Sequence, residues 1–273
     1  GLGLIGGSLA KAISQNTDNT VYGFDISEPV MHKAMLVDAI EQPLTDELLP
    51  QCDIVIVALY PQDTIDYVTS HADLFKKGGI VCDCSGVKRI VCEQLIPLAE
   101  EKGFLFIGGH PMAGREHSGF TYAKKSLFNT ASMIFTPTRG PIESMEKLKN
   151  LFTSIGFTNI EIATPEEHDR KIAFTSQLAH VVSNAYIKSP TAQEHMGFSA
   201  GSYKDLTRVA KLNEDMWTEL FLENPDNLAD EIDTLIKNLQ EYSFAIREMD
   251  SETLHQLLKE GREKKAIIDG EIF

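Results

Sequence analysis

The residue types able to do chemistry in this chain cluster in a few short segments. His110 lies in Gly108-Gly109-His110-Pro111-Met112-Ala113-Gly114, directly after a β-type run. A histidine at the carboxyl end of a strand sits where open α/β sheets bind ligands. Neutral imidazole titrates near neutrality and can take the proton of an alcohol being oxidised. Ser85, in Cys84-Ser85-Gly86, ends the preceding strand at the same edge, within expected reach of His110 or of a cofactor. Arg208 carries the planar fork best shaped to hold a carboxylate. Lys204, Arg208 and Lys211 follow i, i+4, i+7 spacing and predict one cationic helix face, with an Asp205–Arg208 pair as the alternative use of the arginine. Ser176, His180 and Asn184 recur every four residues among apolar neighbours, a polar stripe that either is satisfied internally or lines a cleft.

A second constellation binds rather than reacts. Gly1-x-Gly3-x-x-Gly6 opens a helix, and its glycines allow a tight turn, close approach of backbone to a pyrophosphate, and helix-on-strand packing. Nineteen residues after Gly6 comes Asp25, at the end of Val21-Tyr22-Gly23-Phe24, where a carboxylate accepts hydrogen bonds from adenosine ribose hydroxyls. The pattern predicts a dinucleotide site made by Gly1, Gly3, Leu4, Ile5, Gly6 and Asp25, with Ala58 and Leu59 at the end of a neighbouring strand. Asp25 repels a 2′-phosphate and no Arg follows it, so NAD is expected over NADP.

These residues need a scaffold, and the first half supplies one. Strands are predicted at Thr20–Asp25, Ile54–Leu59, Ile80–Cys84, Leu105–Gly108, Ser132–Thr136 and Asn159–Ala163. Helical spacing fills the intervals, at Ser8–Gln15, Glu28–Val37, Thr64–Phe75, Val87–Glu101 and Pro141–Ser154. Runs such as 54–59, apolar on both faces, fit a parallel sheet covered by helices. The fold class read from this pattern is α/β, a Rossmann-like doubly wound sheet over residues 1–164 followed by an all-α domain over 165–273. The fingerprint lacks its leading strand, which is expected upstream of Gly1. Thr164-Pro165-Glu166-Glu167 is a helix start, with Thr164 as N-cap and Glu167 completing a capping box. Later helices are predicted at Tyr203–Lys211, Glu214–Glu223 and Asp226–Met249, the last with an apolar stripe from Leu228 to Met249 suited to core or subunit contact.

Composition bounds the partners. The chain has 273 residues, 42% hydrophobic and 24% charged, which excludes disordered and disulfide-scaffold classes. A formal net charge of −15 repels nucleic acid and anionic membrane, leaving a small-molecule substrate as the expected partner. Cys52, Cys82, Cys84 and Cys92 lack zinc-ligand spacing and read as free thiols in a reducing cytoplasm, with no metal site. No apolar run reaches transmembrane length.

Taken together, GLGLIGGSLA, the strand ending at Asp25, CDCSGVK at 82–88, GGHPMAG followed by Glu116, SQLAH ending at His180, YKDLTRVAK with Met216-Trp217, and FLEN at 221–224 resemble the prephenate dehydrogenase family. The resemblance runs along nearly the whole chain, with the motifs in order. It implies an all-helical domain that forms a homodimer, and NAD-dependent oxidative decarboxylation of prephenate to 4-hydroxyphenylpyruvate in tyrosine biosynthesis. It also implies His110 and Ser85 as catalytic, and Arg208, His180, Lys204 and Glu116 as substrate-binding. His168 fits a further family histidine. Arogenate is an alternative substrate. Two other readings are another two-domain hydroxyacid dehydrogenase, for which Lys171 and His180 fit the expected catalytic lysine poorly, and an NAD-sensing protein without turnover.

Overall fold

The computed structural model describes residues 1–115, 117–137 and 140–270. They form two compact units, divided between Asn224 and Pro225.

In the first unit, β1 (Tyr22–Gly23) and β2 (Gln42–Pro43) make a short parallel pair. A five-stranded sheet follows in the order β3 (Ile54–Val57), β4 (Ile80–Asp83), β5 (Leu105–Pro111), β6 (Ser132–Thr136) and β7 (Asn159–Ile162). All neighbours run parallel except β5 and β6, where His110 lies opposite Ile134. That reversal follows from the connection. Parallel return needs a crossover, usually a helix, and between Pro111 and Ser132 the described residues hold only a 3₁₀ turn at Phe120–Tyr122.

The helices α1 (Leu4–Asn16), α2 (Glu28–Leu36), α3 (Pro61–Ser70), α4 (Arg89–Lys102) and α5 (Ile142–Ser154) alternate with the strands. Side chains of alternate strand positions point to opposite faces, so each strand feeds two cores. On one face Val55, Val57, Val81 and Phe106 pack with Ile65 and Val68 of α3 and Val91 and Leu95 of α4. On the other, Ile80, Cys82, Ile107 and Phe135 pack with Leu9 and Ile13 of α1 and Leu148 and Phe152 of α5. Each such side chain contributes on the order of 1.5–3 kcal/mol on burial. The predicted doubly wound sheet is therefore present; β3, β4 and β7 end one or two residues earlier than predicted, β6 matches its prediction, and β5 runs three residues further, to Pro111. The pair member β2 was not expected, because two exposed residues, one of them proline, carry no periodicity.

Beyond the sheet, α6 (Pro165–Ile172) starts as predicted, with Thr164 Oγ1 accepting from Glu167 N at 3.1 Å. The capping box is only half made, since the Glu167 carboxylate turns to Lys171 Nζ at 2.6 Å. The helix then passes through a π-helical turn, Ala173–Leu178, into α7 (Ala179–Tyr186). The wider turn shifts the phase of the helix. As a result Phe174 is 58% exposed while Gln177 and Ser183 are buried, contrary to the apolar face expected there.

A shorter helix, α8 (Gly201–Thr207), is followed by α9 (Glu214–Leu222), capped by the Asn213 side chain. The expected three-cation face is not formed: α8 stops at Thr207, so Arg208 is its C-cap and Lys211 lies outside it. Ala210 N bonds back to Thr207 O, and the Ala210 carbonyl is taken by Asn184 Nδ2 at 3.2 Å, so the chain turns out of the helix there.

The second unit consists of α10 (Pro225–Arg247) and α11 (Ser251–Ile268). Met249, in the left-handed region at φ 53°, turns the chain, and Asp250 caps α11 through Thr253 N at 3.0 Å. Tyr242 Oη donates to Leu257 O at 3.2 Å across the pair. Ile236, Leu239, Phe244, Ile246 and Met249 of this unit are exposed. No helix among the described residues is long and apolar enough to cross a membrane.

Candidate active site

The carboxyl edge of the sheet gathers the reactive side chains. Val57 of β3 pairs with Asp83 of β4, and the β4–β5 ladder runs out at Ile107, so Asp83 is the last paired residue of β4 and His110 lies beyond the β4–β5 ladder while still paired to Ile134 of β6. Gly109 lets the strands close there. A Cβ on it would lie 2.5 Å from the Asp83 carbonyl oxygen and 2.7 Å from Cys82 Sγ. Its N–H donates to Asp83 Oδ1 at 2.9 Å.

Asp83 is a buried carboxylate, and burial of a charge demands partners. Its Oδ2 accepts from Ser85 N at 2.9 Å, from Ser85 Oγ and from Lys88 Nζ. Lys88, fully buried, also donates to Ser85 Oγ at 3.0 Å. Ser85 is thus tied to Asp83 and Lys88; no hydrogen bond joins it to His110 among the described residues.

His110 pairs instead with His168 of α6, Nδ1 to Nε2 at 2.9 Å, and His168 Nδ1 meets Asp169 Oδ1 at 2.7 Å. Asp169 also caps α4, accepting from Lys88 N at 2.7 Å, Arg89 N at 2.9 Å and Arg89 Nε at 3.4 Å. Burial first, then His168 and Lys88, hold His110 well below its ordinary 6.5. Burial also lowers His168, against the raising effect of Asp169. Both imidazoles are neutral at pH 7, the state a proton acceptor requires.

The cofactor cradle lies against the same edge. Gly3 caps α1 without a side chain, and the first turn carries no acid, so the N–H groups and the positive end of the helix dipole stay available to an anion. A Cβ on Gly6 would stand 1.9 Å from the Gly1 carbonyl oxygen, and one on Gly1 2.6 Å from the Ala58 carbonyl oxygen. On Gly3 it would enter open space, where backbone can approach a pyrophosphate. Asp25 is oriented by Leu2 N at 2.7 Å and Ser27 N at 2.9 Å. Each of its oxygens keeps acceptor capacity for a ribose hydroxyl. Glycines, free helix end and fixed carboxylate together fit a dinucleotide.

A third group stands on the helices. His180 donates Nδ1–H to Ser176 O at 2.8 Å and lies on Trp217, ring centroids 3.9 Å apart. Burial lowers its pKa; the bond to Ser176 opposes this and the Arg208 guanidinium adds to it. Arg208 and Lys204 are exposed, and no Asp205–Arg208 ion pair occurs among the described residues. Asn184, Lys211, Leu212, Trp217 and Phe221 line an open cleft of about 420 Å³. Glu116 lies outside the described residues.

Sequence reasoning missed the polar members that join these groups. Buried Asn224 donates to Asp169 O and Gln177 Oε1, both at 2.8 Å, and accepts from Arg89 Nη2 at 2.8 Å. Gln177 in turn donates to Leu220 O at 2.7 Å. Glu219 accepts from Gln62 N at the start of α3, at 2.9 Å. Glu223 has a buried Oε2 with no hydrogen-bond partner among the described residues, and burial, Glu219 and Asp169, opposed by Lys88, push it up to about 7. The one available signal was a lysine and an aspartate inside apolar surroundings, in Cys82–Lys88, since buried charges come in pairs.

Profiles of two family domains match the chain, "prephenate dehydrogenase, nucleotide-binding domain" over residues 9–161 and "prephenate dehydrogenase, dimerization domain" over 164–260. A prephenate dehydrogenase of Bacillus subtilis is 29% identical over 277 residues, covering 96% of this chain and 73% of the relative. A cyclohexadienyl dehydrogenase of Zymomonas mobilis is also 29% identical, covering 97% and 93%. The crystal structure of prephenate dehydrogenase from Aquifex aeolicus, in complex with hydroxyphenyl propionate and NAD+, superposes with a TM-score of 0.86 at 27% identity, covering 98% of this chain and 96% of that one.

Proposed function

The chain belongs to the prephenate dehydrogenase family, and on that footing we propose that His110 is the base in its reaction. The protein is an NAD-dependent oxidoreductase whose reaction is prephenate oxidation in tyrosine synthesis. Bound NAD supplies the hydride acceptor, and Gly1, Gly3, Leu4, Ile5, Gly6, Asp25, Ala58 and Leu59 are the residues that would hold it.

His110 Nε2 takes the proton of the ring hydroxyl as the carbinol C–H leaves as hydride. The bond to the ring carboxylate then breaks, carbon dioxide departs, and its electron pair enters the ring. The oxygen recovers a proton to give the phenol of 4-hydroxyphenylpyruvate. Aromatisation drives the step, so the protein supplies orientation and one base.

We assign Ser85 to holding Asp83 and Lys88 in place beneath the base. Arg208, with His180 and Lys204, binds a substrate carboxylate, and Glu116 remains a candidate there. The observation that carries this reading is a neutral His110 at the sheet edge that also carries the glycine turn. We place the change from cofactor domain to substrate domain at Thr164. The exposed apolar residues of α10 favour a homodimer through the helices, and four free cysteines favour a reducing cytoplasm.

Arogenate is the second reading, favoured by the equal identity to a cyclohexadienyl dehydrogenase. The test is NADH formation and carbon dioxide release from prephenate and arogenate side by side, comparing kcat/KM. Equimolar NADH and carbon dioxide from prephenate is expected. NADH from neither substrate overturns the proposal.

A further inference from the structure

We infer that Asp169 and His168 are positioning residues that fix the tautomer of His110, leaving its Nε2 as a bare proton acceptor. The inference rests on the reading of His110 as the base, and it follows from counting lone pairs. A carboxylate offers about four acceptor sites. Asp169 Oδ1 receives Lys88 N and meets His168 Nδ1; Oδ2 receives Arg89 N and Nε. Three of the sites receive N–H donors and the fourth faces His168 Nδ1, and a carboxylate only accepts. His168 Nδ1 is therefore the donor of its bond, and neutral His168 has a bare Nε2.

That bare nitrogen faces His110 Nδ1 at 2.9 Å, so His110 must carry its proton on Nδ1. Its Nε2 is then unprotonated and has no protein partner among the described residues. The groups around the two rings are Asp169, Asp83 and Lys88. Asp169 and His168 both have side chains with no exposure, so water does not compete for these bonds. The reverse tautomer of His110 would set two N–H-free nitrogens against each other. Protonating His168 would instead turn its Nε2 into a donor and force the proton of His110 onto the reacting nitrogen.

The direct test is nitrogen-15 NMR of the full chain labelled in histidine, with His110 and His168 assigned by substitution. Both rings are expected as neutral Nδ1–H forms at pH 7.5. Kinetics provide the second arm. His168→Phe removes the acceptor, and kcat with prephenate should fall by about 10²–10⁴ while the NAD Kd holds, the scale seen when a catalytic histidine is held in the wrong tautomer. His168→Gln can still accept from His110 Nδ1–H and should recover kcat to within about tenfold of the parent. A parent His110 in the Nε2–H form, or His168→Gln as impaired as His168→Phe, overturns the inference. If the parent turns over neither cyclohexadienyl substrate, the proposed reaction fails while the NMR arm still decides the tautomer.

Discussion

Replacing Glu223 by Gln should stabilise the protein by an amount that grows as pH rises from 4.5 to about 7. Glu223 ends the helical stretch beside Asp169, with one oxygen buried and without a hydrogen-bond partner among the described residues, and its pKa rises from 4.5 to about 7. Between those values the folded state holds a proton that the unfolded state has released, so stability falls as pH rises through the window. Above pH 7 the cost of the buried charge is complete; below pH 4.5 it is absent. At about 1.4 kcal/mol for each tenfold change in proton affinity, full burial would cost about 3 kcal/mol. Glu223 is only half-buried, and solvent screening reduces this to about 1–2 kcal/mol. Glutamine keeps the shape without the charge. Urea unfolding of parent and variant at pH 5 and pH 8 should give near-equal midpoints at the lower pH and a gain of about 1–2 kcal/mol at the higher. An equal gain at both pH values would mean that packing, not charge, was relieved, and the electrostatic reasoning would be refuted.

Three more outcomes follow from the same geometry. Gly6→Ala places a methyl 1.9 Å from the Gly1 carbonyl oxygen, so α1 must shift; the NAD Kd, read by fluorescence titration, should rise at least about tenfold. Arg208→Gln should raise KM for prephenate by about 10–100-fold with kcat nearly unchanged, the value of a charge-assisted pair lost equally from ground and transition states. A fall in kcat at constant KM would assign Arg208 to the reacting atoms. The acid limb of kcat/KM should lie below 6.5, because burial lowers both His110 and His168; a limb above 7 contradicts the neutral histidine pair.

The sheet was legible because runs such as Ile54–Val57 and Ile80–Cys82 are apolar on both faces, as strands covered by helices on both sides are. The cofactor cradle was legible for a similar reason, since the glycine spacing and Asp25 are local in sequence. The catalytic pair was only half legible. His110 announces itself through its strand and glycines, but its partner His168 lies 58 residues away and reaches it through the packing of α6 on α4. Asp169 carries no spacing signal of its own, because its role as a cap of α4 depends on the packing of α6. The π-helical turn at Ala173–Leu178 has no periodicity of its own, and it is what turns Gln177 inward to Asn224. Lys211 was misplaced because i, i+4, i+7 spacing assumes a helix that Asn184 helps to end.

The claim at the centre is that His110 accepts the hydroxyl proton. Its direct measurement is single-turnover NADH formation from prephenate by His110→Asn, with the NAD Kd determined on the same preparation. A rate lowered by about 10²–10⁴ at unchanged NAD affinity is the predicted result. Turnover equal to that of the parent would contradict it.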